Sequence, residues 1–445
     1  MSRWITEWEP EDEAFWTRIG RRVAQRNLVW SIVAENVGFS VWMMWSVVAA
    51  RLPKAGFRYG TDQLFLLVAV PGLVGALMRL PYTLAVPRFG GRNWTTTSAL
   101  LLLVPTSALA LLVTRPETPF PLMLAAAASA GLGGGNFASS MANISFFYPD
   151  REKGFALGLN AAGGNIGVST VQLLVPLVIG AGSIARAGLV WMPAIAVAAV
   201  GAFAWMDNLA TARSNVRDQI AVTKRKHTWV VSWLYVGTFG SFVGYAAAFP
   251  LLLGTQFPEV GASLAFLGPL VGSLARPLGG KLADWLGGAR VTFWNFLVMA
   301  VATLGVLSCL RAHAFGPFLA LFLVLFVTTG IGNGSTFRMI PAIFRTEALG
   351  AAGAASPGRP EVATALSRAR RDSAAVIGLS SAIGALGGFF IPQLFGASIR
   401  ATGGPAAALA LFVAFYATCL AMTWWHYLRT TFLARLSPSL AGADV

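Results

Sequence analysis

The sequence predicts an all-α polytopic membrane protein of twelve transmembrane helices, arranged as two pseudo-symmetric six-helix bundles. Three observations predict it. The 445-residue chain is 56% hydrophobic and only 11% charged, with a mean hydropathy of +0.65, whereas soluble domains carry about 25% charged residues. Apolar stretches recur along it, each near the roughly 20 residues that a spanning helix needs. The motifs of the first six stretches return, in the same order, in the last six.

The spans are expected at 28–50, 63–87, 94–114, 119–148, 153–180, 185–207, 229–253, 262–286, 290–311, 315–345, 373–399 and 404–428. Residues 1–27, acidic and polar in "MSRWITEWEPEDEAFW", read as a cytoplasmic segment and not as a cleavable signal peptide. A six-helix bundle over 28–207, a polar linker over 208–228, a second bundle over 229–428 and a tail over 429–445 follow. The second bundle is interrupted by a polar stretch at 346–372, rich in Ala, Gly and Arg and expected to be mobile.

Basic residues set the orientation. With both termini in the cytoplasm, only Arg51, Lys54, Arg58, Arg115, Arg186, Arg311 and Arg400 lie outside, Arg79, Arg276 and Arg338 lie within spans, and the rest of the 33 lie inside. The net charge of +15 therefore flanks apolar segments and does not point to nucleic acid. Cys309 and Cys419 sit in apolar runs and read as small buried hydrophobes. His227, His313 and His426 lie near span ends, clustered with neither Cys nor carboxylate. No metal site, cofactor or enzyme activity is expected.

The repeat is explicit. "LVGALMRLPYTLAVPRFGG" from Leu73 matches "LVGSLARPLGGKLADWLGG" from Leu270. "GLGGGNF" from Gly131 matches "GIGNGST" from Gly330, and "ALGLNAAGGNIG" from Ala156 matches "VIGLSSAIGALG" from Val376. Repeat-built transporters bind substrate near the bilayer midplane, at the repeat interface. Each copy of the first motif carries an arginine, Arg79 or Arg276, about 12–15 Å from the cytoplasmic end of its span at 1.5 Å per residue. An arginine there costs about 2.5–3.5 kcal/mol even on insertion scales. Glu35 is the only acidic residue well inside a span, and one carboxylate cannot neutralise two guanidiniums. A guanidinium offers paired coplanar donors suited to an oxyanion and stays charged at all relevant pH. The duplication thus predicts two equivalent positions facing one anion.

Glu35 has two readings. A carboxyl group taken out of water favours its protonated form, which suits a proton carrier. A helix-packing hydrogen bond, or a partner in Arg22 or Arg26, is the alternative. Arg338 lies about 10 Å from the cytoplasmic end of its span, which suggests snorkelling or a gate contact. Asn160 and Asn165 supply amides within a span, with helix packing the plainer reading for Asn160. Gly163, Gly164 and Gly167 let helices approach closely, either as static packing or as a gate surface that repacks. Gly384 and Gly387 are their counterparts in the second half.

"GGKLADWLGGAR", Gly279 to Arg290, resembles the loop motif of the major facilitator superfamily; the first-half copy, "TLAVPRFGGRN", lacks the acidic residue. "GLGGGNFASSMANISFFYPDREKGFALGLNAAGGNIGVSTVQ", Gly131 to Gln172, resembles the nitrate/nitrite porter family, and the likeness covers essentially all twelve segments. The resemblance implies nitrate and nitrite as ligands, Tyr235 as a hydroxyl contact to the anion, Phe137 and Phe239 as apolar walls, and Asn165 as an amide contact. The family holds both proton-linked nitrate importers and nitrate/nitrite exchangers, and Glu35 tips the expectation toward proton symport. A multi-pass monomer of the bacterial cytoplasmic membrane, surrounded by lipid, is expected. A receptor would need a signalling domain, and an organic-anion antiporter would need further deep basic residues.

Overall fold

In a bilayer every backbone N–H and C=O must be satisfied within the protein, so apolar runs of this length become helices. The computed structural model describes residues 3–180, 182–212, 220–260, 262–351, 360–430, 439–440 and 445. Its helices are α1 (Glu13–Arg51), α2 (Thr61–Phe89), α3 (Gly91–Leu112), α4 (Phe120–Ser129 and Leu132–Phe147), α5 (Asp150–Gly180) and α6 (Arg186–Trp205). They continue as α7 (Lys226–Gln256), α8 (Leu267–Leu286), α9 (Gly288–Arg311), α10 (Phe315–Ala351), α11 (Pro360–Ala385 and Gly387–Thr402) and α12 (Ala406–Leu428). Ten of these are long and apolar enough to cross a membrane. The other two are α4, interrupted by a turn at Ala130 and Gly131, and α8, which carries Arg276, Lys281 and Asp284.

The helices extend beyond the expected spans in two places. The first helix begins at Glu13, well before the expected span, where Asp12 caps it by accepting from the backbone N–H of Ala14 and Phe15. The stretch 346–372 is helical on both sides of 352–359, which lie outside the described residues. Ala and Arg are strong helix formers, so "EVATALSRARR" forms the N-terminal turns of α11. The part of the linker at 213–219 also lies outside the described residues.

The chain forms two compact units. Unit 1 is Met1–Ser214 with Val243–Ser273 and Ala385–Ala408. Its spine is α1 against α5: Asn36 Nδ2 donates to Gly163 O and Ser40 Oγ to Gly167 O, both at 2.9 Å. A Cβ on Gly167 would strike Asn36 O, so this approach requires glycine. The N-terminal segment is tied down by β1 (Trp4–Ile5), parallel to β2 (Asn208–Leu209). Trp8 and Trp16 pack into a cluster with Phe147 and Tyr148. Within the same unit, Gln172 Nε2 donates to Ala246 O at 2.7 Å, and the backbone of Gly72 lies against that of Gly388.

Unit 2 is Asn215–Phe242, Leu274–Gly384 and Leu409–Val445. Here α9 packs along α10, with Thr292 and Ser335 hydroxyls 2.8 Å apart and Gly288 admitting Met339. The residues Val236–Gly240 of α7 form a π-helical turn, a feature common at functional sites.

Candidate functional site

In unit 1, Arg79 is 1% exposed. Its Cζ lies 4.5 Å from the Phe137 ring centroid and 5.7 Å from that of Trp42. Such ring faces attract a cation and offset part of the cost of burying it. Phe137, also 1% exposed, leans on Phe39 with centroids 6.1 Å apart. Trp42 Nε1 donates to Pro71 O at 2.7 Å.

In unit 2, Arg276 is 5% exposed, and its Cζ lies 5.4 Å from the Phe337 ring centroid. Phe337 is tilted against Tyr235 at 5.5 Å, and Tyr235 stacks on Phe239 at 5.3 Å and 19°. The π-helical turn begins directly after Tyr235 and contains Phe239. Gly384 of α11 presses on the Tyr235 ring: a Cβ there would meet Cδ1 at 2.7 Å. Each unit therefore repeats one arrangement. An arginine from the second helix of the repeat lies over a phenylalanine from the fourth.

The sequence reading did not single out Trp42, Phe39 or Phe337. Aligning Gly131 with Gly330 pairs Phe137 with Thr336, so Phe337 falls one position out of register. The signal for Trp42 was its place four residues C-terminal to Gly38 on the helix face that meets α4; sequence alone does not mark that face.

The amides separate. Asn165 is 1% exposed, and its Oδ1 has no hydrogen-bond partner among the described residues. Asn160 instead serves Glu35: its Nδ2 donates to Glu35 Oε2 at 2.8 Å and to Ser140 Oγ at 2.6 Å. Ser140 Oγ donates to the same carboxylate oxygen at 2.5 Å. Gly164 borders Glu35 Oε1, Gly163 borders Ile32, and the Gly387 carbonyl lies 2.6 Å from where a Gly244 Cβ would sit. Arg26 pairs with Asp207 at 2.5 Å. Arg338 pairs with Asp284 of the loop motif, also at 2.5 Å, with both side chains about half exposed.

A helical membrane fold built from two sequence repeats, with a buried arginine at the matched position of each, is that of a secondary transporter. Residues 36–356 match the family model described as Major Facilitator Superfamily. The chain is 42% identical to "Nitrate/nitrite transporter NarU" of Escherichia coli (strain K12), covering 96% of this chain and 97% of that protein. It is 35% identical to "Probable nitrate/nitrite antiporter NarK2" of Thermus thermophilus, covering 96% and 97%. Among solved structures, a bacterial homolog of the human lysosomal transporter Spinster in an inward-facing, occupied conformation superposes with a TM-score of 0.62 at 15% identity. The match covers 89% of this chain and 95% of that one, and it speaks to the fold alone. The chain belongs to the major facilitator superfamily and, within it, to the nitrate/nitrite porter family. It is a transporter and not an enzyme.

Proposed function

We propose that the chain imports nitrate across the cytoplasmic membrane by alternating access, coupled to protons. The observation that carries the reading is the pair of buried arginines, Arg79 and Arg276, at the same position of the two repeats and each set over a phenylalanine. The relatives named as nitrate/nitrite transporters supply the choice of anion. In this reading Arg79 and Arg276 are oxyanion ligands, each through paired N–H groups. Tyr235 adds a hydroxyl, Asn165 an amide, and Phe137 and Phe239 limit the size of what enters. In this reading the termini lie in the cytoplasm, which the distribution of basic residues supports.

Proton coupling is assigned to Glu35, a fully buried carboxyl group held by Ser140 and Asn160. Exchange of nitrate for nitrite is the second reading, favoured by the relative named as a probable antiporter. Uptake of labelled nitrate into proteoliposomes separates them. A pH gradient alone drives uptake by the symporter. Internal nitrite, with no gradient, is needed by the exchanger. Absence of nitrate uptake under both conditions removes the proposal.

A further inference from the structure

We propose that Trp42 is a positioning residue for the Arg79 guanidinium, and so sets how tightly the first half of the chain holds a small oxyanion. The inference rests on the reading of Arg79 as an anion ligand.

Trp42 is 1% exposed on α1. Its indole lies where α1, α2 and α4 meet, in space that two glycines keep open. A Cβ on Gly75 of α2 would meet Trp42 Nε1 at 2.6 Å and Cε2 at 2.8 Å; a Cβ on Gly134 of α4 would meet Cε2 at 2.7 Å. The indole N–H donates to Pro71 O, one turn before Gly75 on α2 and two turns before Arg79. The ring is therefore fixed in place on the helix that carries Arg79 and borders the guanidinium at 5.7 Å.

Phe137, from α4, borders the same guanidinium at 4.5 Å. Two rings on separate helices thus limit the rotamers open to a long, flexible side chain. A side chain already held in its binding orientation loses less entropy when the ligand arrives. Each ring also lowers the cost of the cation before the anion is present. Phe137 was expected as a wall of the site. Trp42 has no place among the anion contacts proposed above, and acts only through Arg79.

The test uses the full chain in proteoliposomes and in detergent, with Trp42→Phe, Trp42→Leu, Gly75→Ala and Arg79→Lys. Two quantities are read: the nitrate KM against the maximal rate, and the rise in melting temperature that nitrate produces. Trp42→Leu is expected to raise KM about tenfold and Trp42→Phe about threefold, with the maximal rate little changed. The nitrate-induced rise in melting temperature shrinks in the same order. Gly75→Ala keeps both side chains and displaces the indole, so it also raises KM. A Trp42 that merely fills space gives the opposite result: lower melting temperatures with and without nitrate alike, and an unchanged KM. That outcome overturns the inference. If Trp42→Leu does not fold, Trp42→Phe and Gly75→Ala decide. Normal transport by Arg79→Lys removes the underlying reading, whereas an inactive Arg79→Lys beside Trp42 variants of normal KM removes this inference alone.

Discussion

Gly72 of α2 and Gly388 of α11 meet backbone to backbone in unit 1. A Cβ on Gly72 would strike the Gly388 carbonyl group and approach Phe389 N at 2.8 Å. No side-chain rotation relieves a clash with backbone. The same stretches of α2 and α11 also bring Gly396 close to Phe65 and pair Asp62 with Arg400 at 3.5 Å. The approach of Gly72 to Gly388 is the kind of contact that an alternating-access cycle must make and break. Gly72→Ala is expected to raise the cost of the closed arrangement by about 1–3 kcal/mol and to slow nitrate uptake roughly tenfold. Binding, read as nitrate-induced thermal stabilisation, should persist. Uptake at the normal rate would show that the two helices need not approach this closely during transport.

The paired arginines give the next prediction. Arg79→Lys and Arg276→Lys keep the charge and lose the planar fork. Each should cut nitrate uptake by at least roughly tenfold, the equivalent of about 1.4 kcal/mol. In unit 2 the substitution also withdraws the guanidinium from Phe337. Near-normal uptake by either variant would remove the central claim about the anion.

Much of this was legible in the sequence, and the reasons are specific. Arg79 and Arg276 stand out because a deep charge in an apolar span is rare whatever it packs against. The glycines of α5 stand out by spacing alone, and three of them do lie against α1, at Ile32, Glu35 and Asn36. Phe337 was hidden because the repeat slips by one residue just where the ring contacts Arg276. Glu35 was legible as an oddity, but its partners were not. Ser140 and Asn160 come from α4 and α5, and only tertiary packing brings them to one carboxylate. The helical start of the N-terminal segment was missed because its stability comes from docking Trp8 and Trp16 against Phe147 and Tyr148, not from its own apolarity.

Tyr235 is fully buried, stacked on Phe239 and backed by Gly384. Tyr235→Phe preserves that stack and removes only the hydroxyl. Loss of one buried hydrogen bond to the anion should weaken nitrate binding by about 1–3 kcal/mol, measured as nitrate KM or as the nitrate-induced shift in melting temperature. Phe239→Ala and Phe137→Ala should instead widen the site and admit larger oxyanions. If Tyr235→Phe binds nitrate as the parent does, the hydroxyl has no part in recognition and Tyr235 is packing.

Asp207 offers a stability test away from the anion. It accepts from Arg26 Nη2 at 2.5 Å and from Asn27 Nδ2 at 3.0 Å, while its own N–H donates to Asn27 Oδ1 at 2.9 Å. This ties the end of α6 to α1. Asp207→Ala leaves the buried Asn27 amide with one partner fewer and should cost about 1–3 kcal/mol, seen as a lower melting temperature with nitrate KM unchanged. A changed KM would mean that the contact reaches the anion site as well.

Glu35 is where the two proposed mechanisms can be told apart. Nitrate carries no proton of its own at neutral pH, so the proton coupling proposed above needs a titratable group in the chain. A carboxyl group that is charged in one stage of the cycle and protonated in another can supply it. Glu35 is placed to do so mechanically. Its Oε2 accepts from Ser140 and Asn160, and Gly164 of α5 borders its Oε1. Protonation converts an acceptor-only group into one that also donates, so its partners on α4 and α5 must rearrange. The same glycines that let α5 approach α1 leave room for that shift. Glu35→Gln mimics the protonated group permanently in size and charge. Uptake driven by a pH gradient should be abolished, while counterflow of labelled nitrate against internal nitrate, which needs no net proton movement, should continue. Glu35→Asp, which keeps a titratable group on a shorter arm, should retain part of the gradient-driven rate. If gradient-driven uptake survives in Glu35→Gln, the carboxyl group is a packing partner of Asn160 and Ser140, and exchange of nitrate for nitrite becomes the mechanism to pursue. If counterflow fails as well, the substitution has disturbed the fold of α1 against α5, and Glu35→Asp then carries the test.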